Sequence, residues 1–239
     1  MRSAYRSETA GRAGASTGRL DVPIRRLVLT ITDITEHHVS VDTNHQRILD
    51  LVATQGLIRP RDLDALALPR VALTRLVRQG RLERVGRGLY ASPGRLASEH
   101  GSMAEVARRH PNAVVCLLSA LRVHGLTTQS PFELWLAIPN KSRAPRIDYP
   151  PLRIVRLSGV GLTEGVEEHR IDGVAVRVTS VARTVADCFK FRNKVGLDVA
   201  LEALRESWAA RRVTMDELWR YAVRCRVANV MRPYMESLS

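Results

Sequence analysis

The chain has 239 residues, enough for one large domain or two to three small ones, and its 45% hydrophobic and 26% charged content is that of an ordinary globular protein. Collagen-like, coiled-coil and wholly disordered architectures are excluded, and no apolar run approaches the ~18 residues that a membrane helix needs. Thirty-seven basic against 24 acidic residues leave a net charge of +13, and every cation is Arg except Lys141, Lys190 and Lys194. A pI of about 10.8 is the electrostatic footprint of a phosphate binder, and it fits acidic membrane surfaces or acidic protein partners less well.

Residues 1–43 read as a basic, flexible leader. Its first twenty residues are rich in Arg, Gly, Ser and Ala, and Leu27–Thr32 is a short β-prone stretch. There is no apolar signal-peptide core. Cys116, Cys188 and Cys225 lie far apart with no CxxC pair, and an odd number argues against a disulfide framework. That usage points to a reducing, cytoplasmic compartment.

Order begins at Asn44. Ile48, Leu49, Leu51 and Val52 recur at helical spacing, and Gly56 stops that helix. Pro60 stands at a first helical position, and Leu63, Leu66 and Ala67 give a second short stripe. A third helix, about 70–79, carries Leu73, Leu76 and Val77 on one side. Arg81 to Tyr90 then reads as a β-hairpin whose tip is Gly86-Arg87-Gly88.

Three short helices and a basic hairpin are the elements of a winged helix-turn-helix, placed at 44–92. Its third helix suits the DNA major groove. Val71, Thr74, Arg75 and Arg78 lie opposite the apolar stripe. There Arg can pair bidentately with guanine, and Val71 or the Thr74 methyl can touch a thymine methyl. Arg70 stands at the start of that helix, and Arg81, Arg84 and Arg87 on the hairpin can reach phosphates or the minor groove. From 44 to 95 there are ten cations against four acids. The competing reading is a solvated basic face on an ordinary three-helix domain.

Beyond Pro93 the pattern changes to an α+β domain at 97–239. A helix is expected over 98–110, then an apolar run, Ala113–Leu118, leading into Ser119–His124 and a stop at Gly125. Strands are expected over 132–138, 152–157 and 173–178, with an exposed, proline-rich connection at 140–151. Helices follow over 179–191 and 196–210, and a Thr214–Glu217 capping box opens a last one.

Several segments resemble a known family. Arg81–Tyr90 is similar to the "G-x-L-x-R-V-x-R-G-x-Y" ending of the winged helix in AbiEi-family antitoxins of type IV toxin–antitoxin systems. Leu118-Ser119-Ala120-Leu121 with His124-Gly125-Leu126 resembles the family's "S-A-L-x-x-H-G-L", and Ile171–Val174 its "I-D-G-V". Ala182-Arg183-Thr184 with Asp187 resembles "A-R-T-x-x-D". The resemblance covers roughly 44–235. It implies a winged helix that represses its own operon at inverted repeats in double-stranded DNA, followed by an α+β antitoxin-type domain. It also implies a partner, a nucleotidyltransferase-like toxin, although some relatives are orphan regulators.

No catalytic, cofactor or metal site is expected. His124, next to a helix end, reads as a capping or packing residue. His37-His38 has no Cys or carboxylate company. Cys116 reads as an inert core thiol. Asp172 has no acid-x-Lys continuation, which disfavours the alternative of a nuclease-like DNA-processing enzyme. Arg183 and Asp187, four apart, can pair on one helix face. Arg183, Lys190, Arg192, Lys194, Arg220 and Arg224 form a second basic population, read as a further DNA contact or a docking face for an acidic toxin surface, against a plain solvated surface. Leu201, Leu204, Trp208 and Leu218 are candidate core.

Overall fold

The computed structural model describes residues 42–95, 98, 100–129, 132–147 and 149–238. The leader expected over 1–43, with its Leu27–Thr32 stretch and its His37-His38 pair, lies outside them apart from its last two residues.

Helix α1 (42–55) ends before Gly56. Helix α2 (Pro60–Asp64) opens on its proline, where the missing N–H costs nothing, and the Asp62 carboxylate accepts from the Arg59 N–H at 2.6 Å. Helix α3 (Val71–Arg78) follows, then strands β1 (Glu83–Gly86) and β2 (Leu89–Ala91). The strands pair Arg84 with Tyr90 and Gly86 with Leu89, so Val85 is an extra residue that bends the hairpin. Ile58 and Tyr90 exchange N–H···O bonds of 3.0 Å each, which ties the hairpin to the helices. Ile48, Val52, Ile58, Leu63, Leu68, Leu73, Leu76 and Leu82 form the core here. Each such Leu or Ile contributes about 1.5–3 kcal/mol by leaving water.

The rest is helix α4 (Gly101–Arg109), β3 (Val114–Val115), α5 (Leu117–His124), β4 (Leu134–Pro139), β5 (Leu152–Leu157), a 3₁₀ turn (Gly159–Leu162), β6 (Val166–Ile171), β7 (Val174–Thr179), α6 (Val181–Lys190), α7 (Arg192–Val195), α8 (Leu197–Ala209), α9 (Met215–Arg224) and α10 (Ala228–Glu236). The fold is α+β. The sheet order is β5-β4-β3-β7-β6, with β4–β5 and β3–β7 parallel and the other two pairs antiparallel. Both faces are covered, and side chains alternate between them. Leu134, Leu136 and Ile138 join Val174, Val176 and Val178 under α4. Trp135 and Ala137 face the other way, into a core with α5, α6 and the C-terminal helices. Leu204 and Leu218 are central there, with Leu201 and Trp208 packed at the edge.

Two strands lie beyond the sequence expectation, β3 and β6, and the expected last helix is two. Its capping box forms as expected, with the Glu217 N–H donating to Thr214 Oγ1 at 3.2 Å and the Thr214 N–H to Glu217 Oε2 at 2.9 Å. The helix breaks at Arg226, whose φ is 59°.

From Asn44 onward the chain is one compact unit, and the β6–β7 turn is what joins its two parts. Asp172 and Gly173 both have positive φ, 49° and 80°, as a tight Asp-Gly hairpin turn requires. That turn presses on Gly56, whose φ is 68°. A Cβ on Gly56 would stand 1.9 Å from the Asp172 carbonyl oxygen. Asp172 Oδ2 accepts from Arg95 Nη2 at 2.6 Å and from the Ser98 N–H at 3.2 Å. Arg170 donates to the Thr54 carbonyl at 3.2 Å. On the other side of α1, Arg108 Nη2 donates to Gln55 Oε1 (2.5 Å) and Asp62 Oδ2 (2.7 Å). Adjacent residues also serve different cores. Leu57 and Ala91 belong to the core under α4, whereas Ile58 and Tyr90 belong to that of the three helices.

Gly56→Ala combines a left-handed backbone with a direct clash, so it is expected to destabilise the fold by more than about 2 kcal/mol. Urea unfolding followed by circular dichroism should show a lowered midpoint at unchanged slope. A midpoint equal to that of the wild type would mean that the turn moves aside freely.

Candidate nucleic-acid interface

Helix α3 is sorted by burial into two faces. Ala72, Leu73 and Leu76 are at most 3% exposed, whereas Val71 is 57% exposed, and Thr74, Arg75 and Arg78 are exposed beside it. Val77, expected on the inner face, is half-buried at its edge. The inner face is anchored in the core and the outer one is free. An exposed Val71 beside Thr74 is a surface that can meet a thymine methyl.

Around this helix stand the remaining residues singled out by sequence. Arg70 donates through Nε to Asp64 Oδ1 at 2.7 Å, and its Nη2 contacts Asp64 Oδ2. That bond holds the Asp64 carboxyl below the ordinary carboxylate range. Arg70 is therefore already engaged, and a phosphate would compete with Asp64 for it. Arg81, Arg84 and Arg87 are exposed. Arg84 Nε makes a long 3.4 Å contact with the Gly86 carbonyl. Among the described residues, none of Arg75, Arg78, Arg81, Arg84 and Arg87 pairs with a carboxylate. Gly88, with φ 68°, makes the sharp turn that presents Arg87.

Sequence reasoning passed over Arg109, which reaches the hairpin beside its turn from α4. A Cβ on Gly86 would lie 2.5 Å from its Nη2. The Arg108-Arg109 doublet at a helix end was visible in the sequence, but nothing there tied it to the hairpin.

The second basic population divides. Arg183 is a correction. It is 5% exposed and lies in the wall of a cavity rather than on an exposed face. Its Nε donates to Asp187 Oδ2 at 3.3 Å, and its guanidinium also bonds the Glu164 and Gly161 carbonyls. Helix α6 is covered by the sheet, α5, α8 and α9, so its i, i+4 pair ends up inside. Burial holds the Asp187 carboxyl above the usual carboxylate range, although Arg183 pulls the other way. Arg192 is half-buried and caps α6 through the Phe189 carbonyl at 3.0 Å. Lys190 and Lys194 are exposed, with their ammonium groups 5.8 Å and 5.7 Å from the centre of the Phe191 ring. Arg224 pairs with Glu164 at 2.9 Å. Lys190 and Arg224 line one cavity of about 740 Å³, and Arg220 lines another of about 360 Å³.

The remaining motif residues are structural. The Ser119 hydroxyl accepts from the Trp135 N–H at 2.9 Å. His124 is 5% exposed and bonds the Thr179 carbonyl through Nε2 at 2.7 Å, so it packs against β7 rather than its own helix end. Burial lowers its pKa. All three cysteines are buried and free, and burial pushes the Cys225 thiol up to about 12, which fits inert core thiols.

Removing one partner of a buried pair strands the other, so Arg183→Ala should cost about 3–5 kcal/mol of folding stability. Arg75→Ala, on the exposed face, should change it by no more than about 0.5 kcal/mol. Denaturant titration of the two variants separates a structural arginine from an exposed one, and equal losses would contradict the assignment.

No curated protein matches the chain. Among solved structures, the crystal structure of RV2827C protein from Mycobacterium tuberculosis is similar at a TM-score of 0.51 and 14% identity, covering 82% of this chain and 80% of that one. That likeness is one of fold. No helix among the described residues is long and apolar enough to cross a membrane. Residues 46–93, which run from α1 to the turn after β2, match the family described as "Transcriptional regulator, AbiEi antitoxin". The likeness to AbiEi antitoxin transcriptional regulators is thus carried by this helix-and-hairpin segment, about a fifth of the chain.

Proposed function

We propose that the chain is a sequence-specific DNA-binding autorepressor, and the antitoxin of a type IV toxin–antitoxin system that counteracts a nucleotidyltransferase-like toxin. The observation that carries the DNA-binding half is the exposed stripe Val71, Thr74, Arg75 and Arg78 on α3, flanked by hairpin arginines that pair with no carboxylate among the described residues, within the segment that matches a transcriptional-regulator family.

In this reading 44–92 is a winged helix-turn-helix and 97–239 an antitoxin-type domain. Helix α3 enters the major groove. Arg75 and Arg78 take guanine O6 and N7, and Val71 and Thr74 discriminate thymine by its methyl. Arg81, Arg84 and Arg87 hold phosphates or the adjacent minor groove and fix the register without reading sequence. Arg70 joins them if the backbone displaces Asp64. Each neutralised phosphate releases a counterion, so affinity falls steeply with salt. The operator is double-stranded DNA with inverted repeats in the chain's own promoter. The exposed cations of the second population, Lys190, Lys194, Arg220 and Arg224, suit either more DNA or an acidic face of the toxin. Its action needs no catalytic residue. The nuclease alternative loses its main candidate, because the Asp172 carboxylate is engaged by Arg95 and the Ser98 N–H.

Fluorescence anisotropy on the upstream DNA and on scrambled DNA, across a salt series, tests the reading. Arg75→Ala should cost about 1–3 kcal/mol on the operator and little on scrambled DNA. Arg87→Ala should weaken both alike and reduce the log–log salt slope by about 1. Equal affinity of the wild type for both DNAs would sink the repressor reading. Co-expression with a neighbouring nucleotidyltransferase-like gene tests antitoxicity separately.

A further inference from the structure

We propose that His124, Glu167 and His169 form a binding site for a divalent transition-metal ion of the zinc type. Each of the three offers one ligand atom, and these atoms all lie within 4.8 Å of one another. They come from two elements that the fold holds rigidly together. Glu167 and His169 are i, i+2 on β6, so they share one face of the strand. His124 closes α5, and its Nε2 bonds Thr179, the last residue of β7, the strand paired to β6.

The hydrogen bonding of His124 already has the form that a metal ligand needs. Its Nε2–H donates to the Thr179 carbonyl at 2.7 Å. That bond fixes the tautomer and leaves Nδ1 with a lone pair. Nδ1 is buried and has no hydrogen-bond partner. A buried acceptor left unsatisfied is unfavourable, and a metal ion would satisfy it. Ligating histidines generally give their other N–H to a backbone carbonyl or carboxylate in this way.

The distances fit a tetrahedral ion. Donors about 2.0–2.1 Å from zinc stand about 3.3 Å apart along a tetrahedron edge. His169 Nε2 and Glu167 Oε2 are 3.3 Å apart. Reaching that spacing from the 4.8 Å limit takes a shift of no more than about 1.5 Å. Glu167 and His169 can supply it, because their side chains are 52% and 31% exposed, while His124 is the fixed anchor. A cavity of about 360 Å³ lined by Glu167, Ser180, Arg212 and Glu217 adjoins the group. Arg212, which bonds the His124 carbonyl, opposes the cation, and the Glu167 charge offsets it.

Three protein ligands with an open fourth position select a borderline ion such as Zn²⁺ over Mg²⁺ or Ca²⁺, which prefer all-oxygen shells. Occupancy would staple the end of α5 to the β6–β7 hairpin. The turn of that same hairpin bears on Gly56.

The test uses the full chain, freed of metal with a chelator and titrated with Co²⁺, then with Zn²⁺ in competition. The wild type should bind one ion per chain with the visible ligand-field bands of four-coordinate cobalt, and Zn²⁺ should abolish them. Zn²⁺ should also raise the unfolding midpoint, as any ligand specific for the folded state does. His169→Ala and Glu167→Gln, both on an edge strand, should each weaken binding by more than about 100-fold. A variant with His37 and His38 both changed to Ala should bind as the wild type does. Absence of binding by the wild type would overturn the site, and so would binding that survives His169→Ala or is lost with the His37-His38 pair.

Discussion

The contact between Gly56 and the Asp172-Gly173 turn is the constraint on which the arrangement of the chain depends. Neither side has room for a Cβ, so two backbones meet directly where side chains normally intervene. Close approach of this kind is held by what surrounds it. Asp172 takes Arg95 in a pair whose side chains are only 15% and 11% exposed. Arg108 reaches two elements from a third. Such half-buried ionic links add little net stability, because desolvation offsets most of their attraction. Their contribution is orientation, since an arginine fork bonds well only when its acceptors stand in the right directions.

An excess of arginine therefore has two uses in one chain. Arg95, Arg108, Arg183, Arg192 and Arg212 are spent on carboxylates, side-chain amides and backbone carbonyls of the protein itself. Arg75, Arg78, Arg81, Arg84 and Arg87 have no acidic partner among the described residues. The first set satisfies acceptors of the fold itself, several of them partly or fully buried. The free set is the part of the net charge that another molecule can feel at a distance. Net charge alone does not separate the two.

That limit also marks how much was legible in the sequence. The N-terminal segment was readable because its punctuation is strong. Pro60, Gly80 and Gly86-Arg87-Gly88 mark ends that the three-dimensional packing respects, and the apolar spacing of α3 gives its inner face. Helix α6 and the Thr214 box were legible for the same reason. Strand β6 was not. Val166 to Ile171 reads Val-Glu-Glu-His-Arg-Ile, a charged edge strand without an apolar run, and edge strands carry charge to prevent pairing with other chains. The Asp172-Gly173 dipeptide was the signal that could have found it. Strand β3 is two residues long and is a strand only because β4 and β7 flank it. The break at Arg226 has neither Gly nor Pro to announce it. The Arg183–Asp187 pairing followed from spacing, but its burial depends on four other elements. Likewise the grouping of His124 with Glu167 and His169 joins residues more than forty positions apart.

The alternation at Leu57-Ile58 and at Tyr90-Ala91 has a thermodynamic consequence. Each pair sends neighbouring residues into different cores, so neither core can open without disturbing a backbone segment that the other also needs. The helices with their hairpin and the five-stranded sheet should then melt as a single cooperative transition rather than as two. Free energy gained when a ligand binds either part is shared by the whole. Nucleic acid held by α3 would protect amide protons deep in β7 against exchange, and a partner docked on the C-terminal helices would raise the resistance of α3 to proteolysis.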